Sequence, residues 1–487
     1  MKKNTLIAIF TAFIMIFSIS VSALAETAES ENPQQIEAYE YSNSFLKNMI
    51  KVYAHNIADN YYYGIDDDEL LFAALCDTID NKVFNINTAL EAMINRLDDE
   101  YSEFYTPDEF SALTESVSGE FTGIGVVIYE NDNGIVVLST IEDSPAQKAG
   151  ILEGDYIVGV NGIDIAEMSV TEVRKLIVGM TGTTVTVNIK RGNDFISVEC
   201  TREEVAVSQT ETKMLDDNIA YMRIVQFTQT LPEEVKNYVN KLREDKVTKL
   251  IIDLRDNPGG DLDSALEVAN TLISTGRLAE LKYKDESKNK FLYSTNYHAP
   301  NLKIAVLVNE SSASASEFLT TAFKSRKAAK IIGTKTYGKG SMQILTQLAT
   351  RGGMKYTIGE FFSVSGERIH TVGITPDIEV ENEFVPVDEE SFAKIDFDLI
   401  EGASENAQMT LALEQRLEVL GYLEEADEIF DEKTTTAVKS LQNILGYEAT
   451  GIAGFYEYLY LNDLSYDFET EKDNQLNTAI DYLKSIR

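Results

Sequence analysis

The run Val308-Asn309-Glu310-Ser311-Ser312-Ala313-Ser314-Ala315-Ser316-Glu317 constrains the fold of this chain more than any other stretch. It continues from Ile304-Ala305-Val306-Leu307-Val308, an apolar run that reads as a buried strand, and it leads into a helical pattern around 315–327. A buried strand, a turn of small residues and a helix together argue for an α/β core whose functional loops lie at strand ends. Lys339 follows 25 positions after Ser314, within Thr336-Tyr337-Gly338-Lys339-Gly340-Ser341-Met342-Gln343. A serine exposed by small neighbours and a lysine held between glycines can meet, and such pairs are a variant of nucleophile-plus-base catalysis.

Both segments resemble the active-site signatures of the C-terminal processing (tail-specific) peptidases. That resemblance implies Ser314 as nucleophile, Lys339 as base and Gln343 as the residue that orients the lysine. It also implies the ββα-repeat fold of crotonase-like proteins for residues 206–385. Asp253-Leu254-Arg255-Asp256-Asn257-Pro258-Gly259-Gly260 follows a second buried strand candidate, Leu250-Ile251-Ile252-Asp253-Leu254. The resemblance assigns this loop, through Gly259 or Gly260, to the oxyanion hole together with the N–H of Ala315. Which glycine donates stays open. Acyl transfer needs such donors aimed at the developing negative charge.

Each motif also has a plainer reading. Ser314-Ala315-Ser316-Glu317 fits a capping box, in which serine and glutamate satisfy exposed N–H groups at a helix start. Gly333-Thr334-Lys335-Thr336-Tyr337-Gly338-Lys339 comes close to a phosphate-binding loop, but Gly340 stands where that loop needs Ser or Thr, and the residues beyond it read as a strand. Lys339 also fits a solvated loop lysine, and Asn257-Pro258-Gly259-Gly260 fits a simple turn. For Lys339 to act as a base it must lose its proton, and an ordinary lysine near a pKa of ~10.4 keeps it at neutral pH. Desolvation would lower that value, so the resemblance requires a dry site.

The remainder divides by pattern into a multidomain α+β chain. Residues 26–117 carry helical periodicity, with Leu70, Leu71, Ala74 and Leu75 and then Ala89, Leu90, Met93, Ile94 and Leu97. This stretch ends in Leu97-Asp98-Asp99-Glu100-Tyr101-Ser102-Glu103-Phe104-Tyr105, similar to the Leu-Asp-Pro-Tyr-Ser-x-Tyr segment of the same family without its proline. Residues 118–205 turn β-rich. Gly123-Ile124-Gly125-Val126, Ser144-Pro145-Ala146-Gln147-Lys148-Ala149-Gly150 and Asp155-Tyr156-Ile157-Val158-Gly159-Val160-Asn161-Gly162 follow in the order of a PDZ domain. The PDZ resemblance makes Gly123, Ile124, Gly125 and Val126 the loop that holds a peptide's terminal carboxylate, with the peptide added as a strand. Residues 400–465 carry Leu420-Gly421-Tyr422, Phe430-Asp431, Thr434 to Val438 and Leu441-Gln442, similar to a three-helix peptidoglycan-binding module. There Glu428-Ile429 departs from that module's usual pattern, and an all-helical packing domain is the plainer reading. Residues 466–487 read as a terminal helix.

Composition excludes other functions. The formal charge of −38, from 80 acidic and 42 basic residues, repels a polyphosphate backbone, so nucleic acid is not expected as a partner. Only His55, His298 and His370 exist and none sits in a His-Glu-x-x-His motif, so neither a metal site nor any other cofactor is implied. His370 reads as structural. Ser44-x-x-Lys47 and Ser391-x-x-Lys394 lack the companion motifs of penicillin-binding enzymes. Met1-Lys2-Lys3, the apolar run Leu6 to Val21 and Ala23-Leu24-Ala25 read as a secretory signal over residues 1–25, the alternative being an uncleaved anchor. Cys76 and Cys200 fall in different regions and suggest no disulfide framework.

These readings converge on a secreted or cell-envelope serine endopeptidase that cleaves proteins near their C-termini. Expected partners are proteins or peptides with apolar C-terminal tails, with peptidoglycan and a homodimer left open. Two rivals remain at this stage. One is a non-catalytic PDZ and peptidoglycan-binding scaffold; the other is a crotonase-like acyl-transfer enzyme, which would have no reason to carry a PDZ domain.

Overall fold

The computed structural model describes residues 43–486, apart from 82–84, 132–133, 142, 167, 193, 216–217, 387–390, 401–404, 424, 446–448 and 465–468. The expected leader lies outside the described residues. Among the described residues no helix is long and apolar enough to cross a membrane. Cys76 and Cys200 are both free thiols. The chain is a multidomain α/β protein that forms two compact units.

The first unit joins the N-terminal residues through Thr114 with the segments Ala279–Leu292 and Gly340–His370. Its helices Asn43–Asn60, Asp67–Asn81 and Ile86–Asn95 present Tyr53, Ile57, Leu70, Ala74, Leu90, Met93 and Ile94 to one core. Asn85 caps the third helix by accepting from Asn87 N–H, which satisfies one of the donors a helix start leaves unpaired. Leu348, Met354 and Tyr356 complete this core from a sheet. In that sheet Gly353–Phe362 pairs antiparallel with Ser341–Gln347, with Glu103–Tyr105 and with residues 280–283. Leu75, expected on the inner stripe, is 53% exposed, while Leu70 and Ala74 are buried.

The second unit contains residues Glu115–Leu278, Tyr293–Lys339 and Thr371–Arg487. Its β-rich part is an antiparallel sheet of Val126–Asn131, Gly134–Thr140, Tyr156–Val160, Thr184–Arg191 and Asp194–Thr201. Ile124, Val137, Ile157, Val173, Ile177, Val187 and Ile189 fill its interior. Ser169 and Glu172 make a full capping box on the helix Val170–Ile177. The chain enters and leaves this part through the paired strands Glu120–Gly123 and Glu203–Ala206.

Beyond it runs a second sheet in the order Thr210–Leu215, Ile219–Ile224, Lys249–Asp253, Lys303–Val308, Ala329–Gly333 and Ile378–Glu379. The first pair is antiparallel and the remainder parallel. Successive side chains of a strand point to opposite faces, so a strand covered on both sides reads as an unbroken apolar run. Ile219, Tyr221, Ile251, Ala305, Leu307 and Ile332 face Ala479 and Leu483 of the terminal helix Asn474–Ser485, and the alternate residues Met222, Leu250, Ile252, Val306 and Ile331 are buried too.

A separate small core of Met409, Leu413, Leu417, Val438, Leu441, Tyr458 and Leu461 is built by the helices Ala407–Val419, Glu432–Leu445 and Phe455–Leu464. This module is flanked by the strands Glu383–Pro386 and Glu469–Lys472, which pair antiparallel with each other. The chain therefore leaves the sheet region, builds the module, and returns alongside its own exit before forming the terminal helix.

Candidate active site

The parallel strand Lys303–Val308 delivers the chain to the turn at Ser314. Ser312 ties this turn down: its hydroxyl donates to Leu254 O at 2.7 Å and accepts from Asn309 N–H at 2.9 Å. Ser314 itself has φ 55° and ψ −112°, a backbone conformation that a side chain with a Cβ rarely takes. The helix Ala315–Arg326 starts at the next residue. Strain of this kind costs of order 1–3 kcal/mol and persists where surrounding contacts enforce it. Ser311 is exposed and its φ is not positive, so it does not strain the turn.

The contact that enforces this geometry comes from Glu317, a fully buried carboxylate. Its Oε2 accepts from the N–H groups of Ser314 at 3.0 Å and Lys339 at 2.7 Å. Its Oε1 accepts from Gly338 N–H at 2.7 Å and from the Thr336 hydroxyl at 2.6 Å. Burial pushes the Glu317 pKa up, and the four donors pull against that rise. The Lys339 loop is also held from outside: Tyr337 N–H donates to Ser312 O at 3.1 Å, and Thr371 N–H donates to Gly338 O at 2.7 Å. Gly338 has φ +97°, and a Cβ there would come within 3.0 Å of Gly373 N.

The loop after Asp253 closes against the same turn. Asn257 is fully buried; its side-chain amide donates to Ile224 O at 2.8 Å, and its carbonyl accepts from Ala313 N–H and the Ser316 hydroxyl, both at 3.0 Å. Gly259 packs directly on the serine turn. A Cβ at Gly259 would sit 2.7 Å from Ser314 Cβ and 2.9 Å from Ala315 N, and its φ is +105°. Its N–H is already committed, at 2.8 Å, to Asn257 Oδ1. Gly260, at φ +136°, lies so close to Phe227 that a Cβ would fall 2.1 Å from Phe227 O. Ala315 occupies the first helical position, where an N–H has no intrahelical acceptor.

A model of peptidase family S41 matches residues 218–380 of this chain. A CtpA-like serine protease of Staphylococcus haemolyticus is 34% identical over 73% of this chain and 71% of its own length. The chain belongs to the C-terminal processing proteases of family S41. The carboxy-terminal processing protease CtpA of Bacillus subtilis is 29% identical over 99% of both chains. Models of a PDZ domain and of a peptidoglycan binding domain match residues 112–190 and 406–455. Among solved structures, a photosystem II D1 C-terminal processing protease aligns with a TM-score of 0.42 at 23% identity, over 75% of this chain and 97% of that one. The S41 chain is thus a serine peptidase with a PDZ domain.

Gln343 belongs to the first unit, where its side-chain amide donates to Ser341 at 3.0 Å and Thr357 at 3.2 Å. His370, in the same unit, is buried beside Tyr63 and Tyr101, with ring centroids 6.4 and 6.0 Å away. In the PDZ loop the carbonyl of Ile124 accepts from Ala146 N–H at 2.8 Å and that of Gly125 from Ile141 N–H at 2.9 Å. Gly125 has φ +76°, and a Cβ there would meet Ser144 Cβ at 2.3 Å. Sequence reasoning missed Asn257 and Thr336, and it saw Glu317 only as a cap partner. The available signal was Glu317 itself, a carboxylate in an otherwise small and apolar helix start.

Proposed function

We propose that this S41 peptidase cleaves protein chains near their C-termini with Ser314 as nucleophile and Lys339 as general base. The observation that carries this reading is the shared Glu317 carboxylate, which binds the N–H groups of both residues and so couples the serine turn to the lysine loop. Ser314 Oγ attacks the scissile carbonyl carbon while its proton passes to Lys339 Nζ. The resulting oxyanion accepts from Ala315 N–H and, because Asn257 occupies the N–H of Gly259, from Gly260 N–H. Collapse breaks the C–N bond, and Lys339 returns the proton to the leaving amine. Water then attacks the acyl-enzyme by the same route and regenerates Ser314. Gln343 is assigned to orient the lysine by family resemblance.

Substrate choice falls to the PDZ domain in this reading. The carbonyls of Ile124 and Gly125 are engaged inward, which fixes the loop Gly123–Val126 for binding a terminal carboxylate and an apolar tail. The proposed division is a leader over 1–25, a helical region over 26–117, the PDZ domain over 118–205, the peptidase core over 206–385, a peptidoglycan-binding module over 400–465 and a terminal helix over 466–487. The module and the likeness to CtpA proteins support work at the cell envelope after secretion. The test is cleavage of one unfolded protein carrying either an apolar or an acidic C-terminal tail. Faster cleavage of the apolar-tailed form, with the preference abolished by Gly125→Val, supports the reading; equal rates on both tails refute tail capture.

A further inference from the structure

The loop that carries Gly259 and Gly260 is gripped by the chain that follows the module. Arg255 lies four residues before Gly259, and its guanidinium side chain is 14% exposed. One side of its fork meets Asp253, with Nε 3.0 Å from both carboxylate oxygens and Nη2 2.6 Å from Oδ2. The other side meets Asp473, Nη1 to Oδ1 at 2.8 Å and Nη2 to Oδ2 at 2.9 Å. Asp253 also accepts from the Tyr221 hydroxyl at 2.8 Å and from the backbone N–H of Arg255 at 3.0 Å. Asp473 in turn is the N-cap of the terminal helix, accepting from Leu476 N–H at 2.8 Å. A planar guanidinium between two carboxylates has little freedom, because each bidentate pair fixes orientation as well as distance.

The loop is therefore anchored twice. Asn257 ties it to the serine turn through Ala313 N–H and the Ser316 hydroxyl, and Arg255 ties it to a residue 218 positions later in the chain. Asp473 comes immediately after the strand Glu469–Lys472, which pairs with Glu383–Pro386 on the other side of the module. Resting on the proposed roles of Ser314 and the glycine loop, we propose that Asp473 and Arg255 are a positioning pair for the oxyanion donors, so that the segment beyond the module is part of the machinery for turnover. The peptidase core alone would keep its nucleophile and lose the donor geometry.

The two jobs of Asp473 separate by substitution in the full-length chain. Asparagine caps a helix as well as aspartate but carries no charge. Asp473→Asn should thus hold the melting temperature near the parent's while lowering kcat by about tenfold, with KM unchanged, because small misplacements of donors cost rate rather than binding. Asp473→Glu, which restores the charge, should recover part of the loss. The rate of Ser314 labelling by a fluorophosphonate should fall in Asp473→Asn in parallel with kcat. Parent-like kcat in Asp473→Asn would overturn the proposal, as would a fall in kcat that Asp473→Glu does not relieve. A parent chain that neither cleaves nor labels would instead remove the Ser314 assignment itself, and the pair would have no donors to position.

Discussion

Ser314 and Lys339 donate their backbone N–H groups to one and the same oxygen, Oε2 of Glu317, at 3.0 and 2.7 Å. One buried carboxylate thus sets where the serine turn ends and where the lysine loop begins. The arrangement uses all the strong acceptor capacity of a buried charge, which is how such a charge is tolerated.

Removing that carboxylate should separate stability from activity. Glu317→Ala leaves the Thr336 hydroxyl and the Gly338 N–H buried without an acceptor, and removes the acceptor of the part-buried Lys339 N–H; each buried orphan costs about 1–3 kcal/mol. Urea unfolding should show a loss of roughly 3 kcal/mol or more. Glu317→Gln keeps the shape but turns an amide donor toward donors. It should unfold at a higher urea concentration than Glu317→Ala yet still turn over far more slowly than the parent.

Gly259→Ala should slow turnover sharply with little effect on substrate binding. The added methyl would enter the space between Ser314 Cβ and Ala315 N, at a φ that disfavours any side chain. Steady-state kinetics should show kcat falling by roughly a hundredfold with KM held, the result expected when transition-state geometry is displaced. A substitution well tolerated here would mean that the loop does not approach the reacting carbon.

Stability should also carry a histidine signature. Burial lowers the His370 pKa below the 6.5 of a free imidazole, with Glu360 opposing that effect. Between 6.5 and the lower folded value the unfolded chain binds more protons, so stability rises with pH in that window. The contribution is complete above 6.5 and is lost as pH falls through the folded pKa. Urea midpoints measured from pH 8 down to 5 should therefore drop on the acid side, and His370→Asn should flatten that drop.

Much of the fold was legible because its signals are local. The strand at Ile304–Val308 announces itself by five buried apolar residues, and the stripe Ala89, Leu90, Met93 and Ile94 by helical spacing. Leu75 misled because periodicity gives a helix face but not how wide a strip of it is covered. At the site, motif spacing pointed to Ser314, Lys339 and the glycine loop. The capping-box pattern gave the Glu317 bond to Ser314 N–H, but spacing could not give its other three, whose donors lie 19 to 22 residues further along, nor the bonds of Arg255, whose second carboxylate lies 218 residues away. Such contacts are products of topology, and a single sequence carries no local trace of them.

The measurement that bears most directly on the central claim is cleavage of an unfolded protein with an apolar C-terminal tail by the full-length chain, by Ser314→Ala and by Lys339→Ala. The parent should cleave, and each variant should lose roughly 10⁴-fold or more in kcat while unfolding at a parent-like urea concentration. Cleavage by Lys339→Ala near the parent rate would contradict the account, because the proton of Ser314 would then need another acceptor.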